Sequence, residues 1–177
     1  MPPPRRLPAS SDTPYADWLL AIFDRWYERP ETSIRLFREI IQLVLGGAGG
    51  VEGLGLAPST VIVVDTGGAI RQLDSLAAAY PEAQDTGLHV AADSFDAALD
   101  HPLTVLRQGG IAALSRTCQS CPLVCICGGG LVTHRYLAGQ GFAHPSVYCA
   151  DLYKLISVIQ QRVRSDLCRS CHRQYGA

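Results

Sequence analysis

Apolar residues recur at helical spacing near both ends of the sequence. Thr13 and Pro14 supply an N-cap and a first-turn proline, and apolar residues then follow as far as Trp26. A second helix is predicted over 33–45, ending at the glycine pair 46–47, where a left-handed C-cap is easily formed. A third is predicted over 148–163, with one apolar stripe: Leu152, Leu155, Ile156 and Ile159.

The middle of the chain predicts a β-hairpin and short helices. Residues 60–65 form the clearest strand, and the glycine pair 67–68 turns the chain into a partner strand over 69–73. The short helices are expected at 75–80, 95–99 and 103–114, the last interrupted by glycine. The two leading helices have wide apolar faces but only this hairpin nearby. They either fold back on it or once covered a sheet that this chain lacks.

Composition narrows the class of protein. The chain has 177 residues, 47% of them hydrophobic, and a formal charge of −1. These values predict a folded domain without the excess positive charge that is typical of nucleic-acid binding. Apolar segments are far shorter than the roughly 20 residues of a membrane span, and no export signal follows the arginines near the start. A cytoplasmic location is therefore expected, where clustered cysteines bind metal more often than they form disulfides.

The cysteines supply the most informative motif. Cys118, Cys121 and Cys127 are spaced C-x2-C-x5-C, and Cys149 lies further along at the start of the last predicted helix. Four thiolates from one tight loop and one distant anchor are the ligand set of an iron–sulfur cluster or a structural zinc ion. Three glycines, 128–130, follow the third cysteine and permit a close approach of the backbone to such a centre.

The segment around these cysteines resembles the C-terminal SPASM domain of radical S-adenosylmethionine (radical SAM) enzymes, with the closest match to the FxsB type of the FxSxx-COOH peptide systems. The resemblance is carried by CQSCPLVCICGGGLVTHRY at 118–136 and GFAHPSVYCADL at 141–152. Upstream segments agree as well: PYADWL at 14–19, FDRWY at 23–27, GAIRQLDSL at 68–76 and TGLHV at 86–90.

The resemblance implies an α+β fold, with a SPASM-like domain that contains a β-hairpin, a cluster loop and a C-terminal helix, preceded by two helices from the end of a radical SAM barrel. The expected organisation is a disordered leader at 1–13, the barrel-end helices at 14–57, the SPASM-like domain at 58–165 and a basic, cysteine-containing tail at 166–177. The family pattern also implies that one auxiliary [4Fe–4S] cluster is bound by Cys118, Cys121, Cys127 and Cys149.

Two departures from the family pattern limit the expected activity. Leu131 and the 68–73 segment lack the cysteines expected for a second auxiliary cluster, and no C-x3-C-x2-C motif is present to bind S-adenosylmethionine. The chain is therefore expected to be a fragment or a split subunit, inactive alone, of a maturase that crosslinks ribosomally made peptides. No catalytic residue is assigned to it. Its implied partners are a precursor peptide and a separate radical SAM barrel chain, while nucleic acid and membranes are not expected.

Alternative interpretations concern the remaining cysteines. Cys118 and Cys121 with Cys168 and Cys171 form paired C-x2-C units, which are typical of a zinc-stabilised peptide-binding or interaction domain. Cys125 is expected to be a buried thiol rather than a substitute ligand. The C-x-x-C-H run at 168–172 matches a haem attachment pattern, but a mobile or disulfide-forming tail is favoured. The segment 134–136 is a candidate for contacts around the cluster or with substrate, or an ordinary polar patch.

Overall fold

The computed structural model describes residues 12–58 and 61–175, with side chains as far as residue 170. It combines helices with one small antiparallel sheet, in agreement with the predicted α+β class. The α-helices are α1 Pro14–Glu28, α2 Arg35–Val44, α3 Phe95–Leu99, α4 Pro102–Gln108, α5 Arg116–Gln119, α6 Val124–Cys127 and α7 Cys149–Tyr175. The strands are β1 Val63–Val64, β2 Ala69–Arg71 and β3 Asp85–His89, and 3-10 turns lie at Asp74–Ala78, Gly110–Ala113 and Val132–Arg135.

The first helix begins at Pro14, as predicted, but its N-terminus is capped from a distance. The Thr13 side chain makes no capping hydrogen bond. Instead, the Asp151 carboxylate on α7 accepts hydrogen bonds from the backbone N–H groups of Tyr15 and Ala16, at 3.1 and 3.0 Å. A carboxylate at this position satisfies two of the unpaired N–H groups of the first turn and complements the positive end of the helix.

The two leading helices pack mainly against α7, and α2 also contacts α6. Of the two alternatives that the sequence left open, packing of these helices on the hairpin is therefore not observed among the described elements. Phe23 lies at the centre of this packing, with its ring 5.2 Å from that of Phe37 and 5.0 Å from that of Tyr27. The buried core that joins these helices contains Ala16, Phe23, Phe37, Ile40, Leu54, Leu123, Ile126, Leu155, Ile156, Ile159 and Val163.

The sheet contains the predicted hairpin and one strand that was not predicted. β1 and β2 are antiparallel, with Val63 opposite Arg71, and β1 is shorter than expected because its valines lie at a half-exposed edge. β3 pairs with the other side of β2, with Ala69 opposite His89. Half-buried and exposed positions alternate along β3, as in a strand with one face covered.

The last helix is longer than the sequence predicted. It extends from Cys149 through Tyr175, past the expected end at 163 and across the expected domain boundary at 165. The basic tail predicted at 166–177 is therefore helical over its described backbone, up to Tyr175. Asp166 pairs with Arg162 and Arg169 one helical turn away on either side, and such pairs stabilise exposed helices.

Most of the expected leader lies outside the described residues. The prediction covered 1–13, and the structure describes only residues 12 and 13 of that range. Among the residues that are described, no helix is long and apolar enough to cross a membrane.

Candidate metal centre

Short helical turns position the first three cysteines. The Ser115 hydroxyl accepts a hydrogen bond from the Cys118 N–H at 3.2 Å and so begins α5. The Cys121 N–H donates to the Cys118 carbonyl at 3.1 Å, which closes a tight turn between the two thiols. Cys127 then ends α6, where its N–H donates to the Leu123 carbonyl at 2.7 Å. The C-x2-C spacing thus becomes a local turn that aims both sulfurs at one side.

The glycine run after Cys127 folds the backbone where side chains do not fit. Gly128 has a φ of +59° and ends α6 in the left-handed conformation. A Cβ atom on Gly128 would lie 1.7 Å from the carbonyl oxygen of Gly55, and one on Gly130 would lie 2.9 Å from the Leu152 side chain. The run therefore lets the cysteine loop press against both the 49–58 segment and the first turn of α7.

All four cysteines assigned from the sequence line one cavity of about 290 Å³. Cys118 is buried, Cys121 and Cys127 are half-buried, and Cys149 is exposed at the start of α7. Tyr153, one turn along α7, also lines the cavity and is 49% exposed. The loop thus forms the floor of the cavity, and the first turn of α7 forms its open rim.

The electrostatics of the cavity disfavour negative charge when nothing is bound. Burial, reinforced by the neighbouring thiols of Cys149, Cys118 and Cys121, raises the pKa of Cys127 to about 11, although the Gly129 N–H donates to its sulfur and acts in the opposite direction. The apo form therefore holds Cys127 as a thiol at neutral pH. Loading a metal centre would have to release this proton, as metal binding to cysteine generally does.

One cation lies beside these thiols. Arg135, at the end of the third 3-10 turn, is buried, and a Cβ atom on Gly129 would lie 3.5 Å from its Nη1. Burial lowers the pKa of Arg135, while the charges of Cys118 and Cys127 raise it. Burial is the larger of these effects, and the guanidinium group lies against Gly129, within the loop that carries the thiols.

The donor set on this cavity is one that an iron–sulfur cluster uses. The four thiols line a single cavity, and a four-iron cluster offers a separate iron atom to each of four thiolates. Within the described residues, no group of three or more His, Cys, Asp or Glu side chains is placed to hold a metal ion.

The structure corrects two predictions about the other cysteines. Cys125 is exposed and does not line the cavity, so the buried thiol expected from the sequence was wrong; α6 turns it away from Cys127 because it is helical rather than extended. Cys168 lies on α7, at a distance of about 28 Å from Cys149 at the helical rise of 1.5 Å per residue. Cys168 is therefore too distant to share a zinc ion with Cys118 and Cys121, and the side chain of Cys171, the fourth cysteine of that alternative, lies outside the described residues.

His134 and Tyr136, the neighbours of Arg135 in the 134–136 segment, pack against aromatic rings. The His134 ring packs edge to face against that of Tyr148, the residue before α7, with the ring centroids 4.7 Å apart. Burial lowers the pKa of His134. Tyr136 packs in a second small core, with its ring 5.2 Å from that of Tyr80 and 5.1 Å from that of Phe142. The interpretation of Tyr136 as a structural residue is favoured by this contact set.

A second and larger cavity, of about 530 Å³, lies on the other side of the glycine run. Gly128 and Gly130 line it, whereas Gly129 lines the thiol cavity. Its wall is formed mainly by the 49–58 segment, by apolar side chains that include Leu73, and by Arg107 and Arg135. This cavity was not predicted, because its wall is assembled from four separate segments of the sequence.

Comparison with known proteins gives a likeness at the level of the fold. No protein-family model and no curated protein matches the sequence. Among solved structures, native anSMEcpe with bound AdoMet and Cp18Cys peptide has a TM-score of 0.69 at 17% identity, covering 91% of this chain and 45% of that chain. Native anSMEcpe with bound AdoMet and Kp18Cys peptide has a TM-score of 0.65 at 14% identity, covering 86% of this chain and 41% of that chain.

These structures belong to a radical SAM/SPASM enzyme. The chain has the fold of part of that enzyme. It spans less than half of the length of the chains it matches. The likeness agrees with the SPASM resemblance in the sequence, and it gives no support to the FxsB type in particular or to a separate barrel chain.

Proposed function

We propose that this chain binds one [4Fe–4S] cluster through Cys118, Cys121, Cys127 and Cys149, as the auxiliary cluster domain of a peptide-modifying radical SAM enzyme. The observation that carries the proposal is that these four thiols, and none of the other described cysteines, line a single cavity. Four thiolates are the usual ligands of such a cluster.

The environment of the cavity supports a cluster with tuned redox properties. The Gly129 N–H donates to the Cys127 sulfur, and hydrogen bonds to ligand sulfurs are one means by which proteins set the potential of iron–sulfur centres. When bound, the cluster would accept or pass on a single electron. The chain's own residues would hold the four sulfurs, with Cys118 buried, Cys121 and Cys127 half-buried, and the Cys149 side open.

A single cluster is proposed rather than two. Leu73 lines the second cavity, and Leu131 lies between Gly130 and Val132, which also line it. These two leucines occupy the region where the SPASM resemblance expects further cysteines. Their apolar side chains offer no ligand to a second centre.

The biological role is proposed from the resemblance and from the matched structures, which contain AdoMet and peptides. The chain would act with a radical SAM barrel on a ribosomally made precursor peptide, and the FxsB-like sequence segments favour side-chain crosslinking as the reaction. Because the 177 residues include no C-x3-C-x2-C motif, cleavage of S-adenosylmethionine has to be supplied by sequence beyond them, in the same polypeptide or in another.

Anaerobic purification followed by iron, sulfide and zinc analysis tests the proposal. We expect a brown protein with broad absorbance near ~400 nm and about four irons per chain. Cys149→Ala should lose this iron, whereas Cys125→Ala, which alters an exposed thiol of the same loop, and Cys168→Ala should retain it. A colourless protein with one zinc, or equal iron loss in all three variants, would contradict the proposal.

A further inference from the structure

Arg135 is a buried cation without a neutralising carboxylate among the described residues. Only 6% of its surface is exposed, and its Nε and Nη1 atoms are inaccessible to solvent and have no hydrogen-bond partner. Arginine remains protonated in proteins, and a buried, unpaired charge is strongly unfavourable. The conformation therefore requires a source of negative charge close to these two nitrogen atoms.

Arg107, a second buried arginine, has the kind of polar and charged partners that Arg135 lacks in the described part of the chain. Arg107 donates a hydrogen bond from Nη1 to the Gln72 side chain at 2.9 Å, and the Glu52 carboxylate lies 3.6 Å from its Nε. Arg135 lines the same large cavity but has no ion pair of this kind. Its shielded nitrogen atoms are the ones that water in that cavity cannot reach, so an anion bound there would not pair with them.

The thiol cavity can supply the missing charge once its cysteines become thiolates. In that form, Cys118 and Cys127, two of the four proposed ligands, raise the pKa of Arg135. The Nη1 atom lies beside Gly129, whose own N–H donates to the Cys127 sulfur. The guanidinium group therefore lies next to the residue whose amide acts on the Cys127 sulfur.

We propose that Arg135 is the built-in countercharge of the four-thiolate site and a positioning residue that raises the reduction potential of the centre bound there. This inference rests on the proposed function. One-electron reduction adds one negative charge to a cluster and requires no proton. A fixed positive charge in a medium of low dielectric constant stabilises the reduced form more than the oxidised form. Loss of the charge should lower the potential and weaken the retention of the centre.

The test compares Arg135→Gln and Arg135→Met with Arg116→Gln in the anaerobically prepared protein. Arg116 is a matched control because it lies two residues before Cys118 but is exposed to solvent. We expect redox titration, followed by absorbance and electron paramagnetic resonance, to show a shift to lower potential in both neutral Arg135 variants. Arg116→Gln should remain close to the wild type, and Arg135→Lys, which keeps the charge, should shift less than the neutral variants. Circular dichroism verifies folding, and Arg135→Met avoids leaving a new amide unpaired.

The outcomes separate this inference from the proposed function. A wild-type cluster with the same potential in all variants would overturn the role of Arg135 and leave the proposed function intact. A wild-type protein that contains zinc and no iron would refute the proposed function; the countercharge would then predict faster loss of zinc to a chelator from Arg135→Met than from Arg116→Gln, and equal rates would overturn it. A wild-type protein that binds neither metal would overturn both.

Discussion

Among the glycines of the cysteine loop, Gly128 should be the one whose replacement by alanine disrupts the loop most. The residue has a φ of +59°, and a side chain in the left-handed region costs about 1–2 kcal/mol. The added Cβ would also lie 1.7 Å from the Gly55 carbonyl oxygen, whereas such atoms keep at least 3.0 Å apart. The backbone would have to move by roughly 1.3 Å, which breaks the 2.8 Å hydrogen bond from the Gly55 N–H to the Ile126 carbonyl.

Gly139 offers a matched control for the conformational part of this cost. It has a φ of +75°, and a Cβ atom added there would meet nothing within 4 Å. We expect Gly139→Ala to lose about 1–2 kcal/mol, which is roughly 2–8 °C in melting temperature for a chain of this size. Gly128→Ala should lose more, about 2–5 kcal/mol or roughly 4–20 °C, because the clash adds to the conformational cost.

Thermal unfolding followed by circular dichroism, together with iron analysis, measures both effects. Gly128→Ala should also lose the metal, since Gly128 follows Cys127 directly. If the two variants melted at the same temperature and kept the same iron content, the close approach of Gly128 to Gly55 would not exist in solution.

Three other features of the fold yield predictions. Asp151→Ala removes the carboxylate that caps α1, so urea unfolding should show a loss of about 2–3 kcal/mol, and Asp151→Asn, which keeps one acceptor oxygen, should lose less. His101 caps α4 through Nδ1, and burial lowers its pKa. Its contribution to stability is therefore complete above the unfolded pKa of about 6.5 and is lost as the pH falls through the lower folded pKa, so His101→Asn should make urea unfolding less sensitive to pH in that range. Glu39 accepts hydrogen bonds from the N–H groups of residues 50 and 51, so Glu39→Ala should speed amide exchange in the 49–58 segment, and an unchanged rate would refute this role.

The sequence predicts the features of this fold that depend on local patterns. Apolar periodicity locates α1, α2 and the start of α7, and the stripe that contains Leu155, Ile156 and Ile159 is indeed buried. The C-x2-C-x5-C spacing groups three cysteines because the turns that join them are short. Cys149 was predicted to join them as a distant anchor at the start of a helix, and the family pattern implies the same four ligands, but no short turn connects it to the loop.

The features that the sequence did not predict depend on contacts between distant residues. β3 contains a glycine and only five residues, and it is a strand because β2 lies beside it. The capping of α1 by Asp151 joins residues 136 positions apart. The exposure of Cys125 follows from one helical turn, which sends residues two apart to different sides, whereas an extended segment would have kept Cys125 and Cys127 together.

The first residue of α7 lies at the rim of the thiol cavity, and the same helix carries the central apolar side chains of the core. On the proposed function, occupancy of the cavity and docking of the two leading helices form one linked equilibrium. A ligand present at a hundred times its dissociation constant would add about 2.7 kcal/mol to the stability of the whole domain. Loss of iron by oxidation would then remove this contribution from the whole domain, the leading helices included.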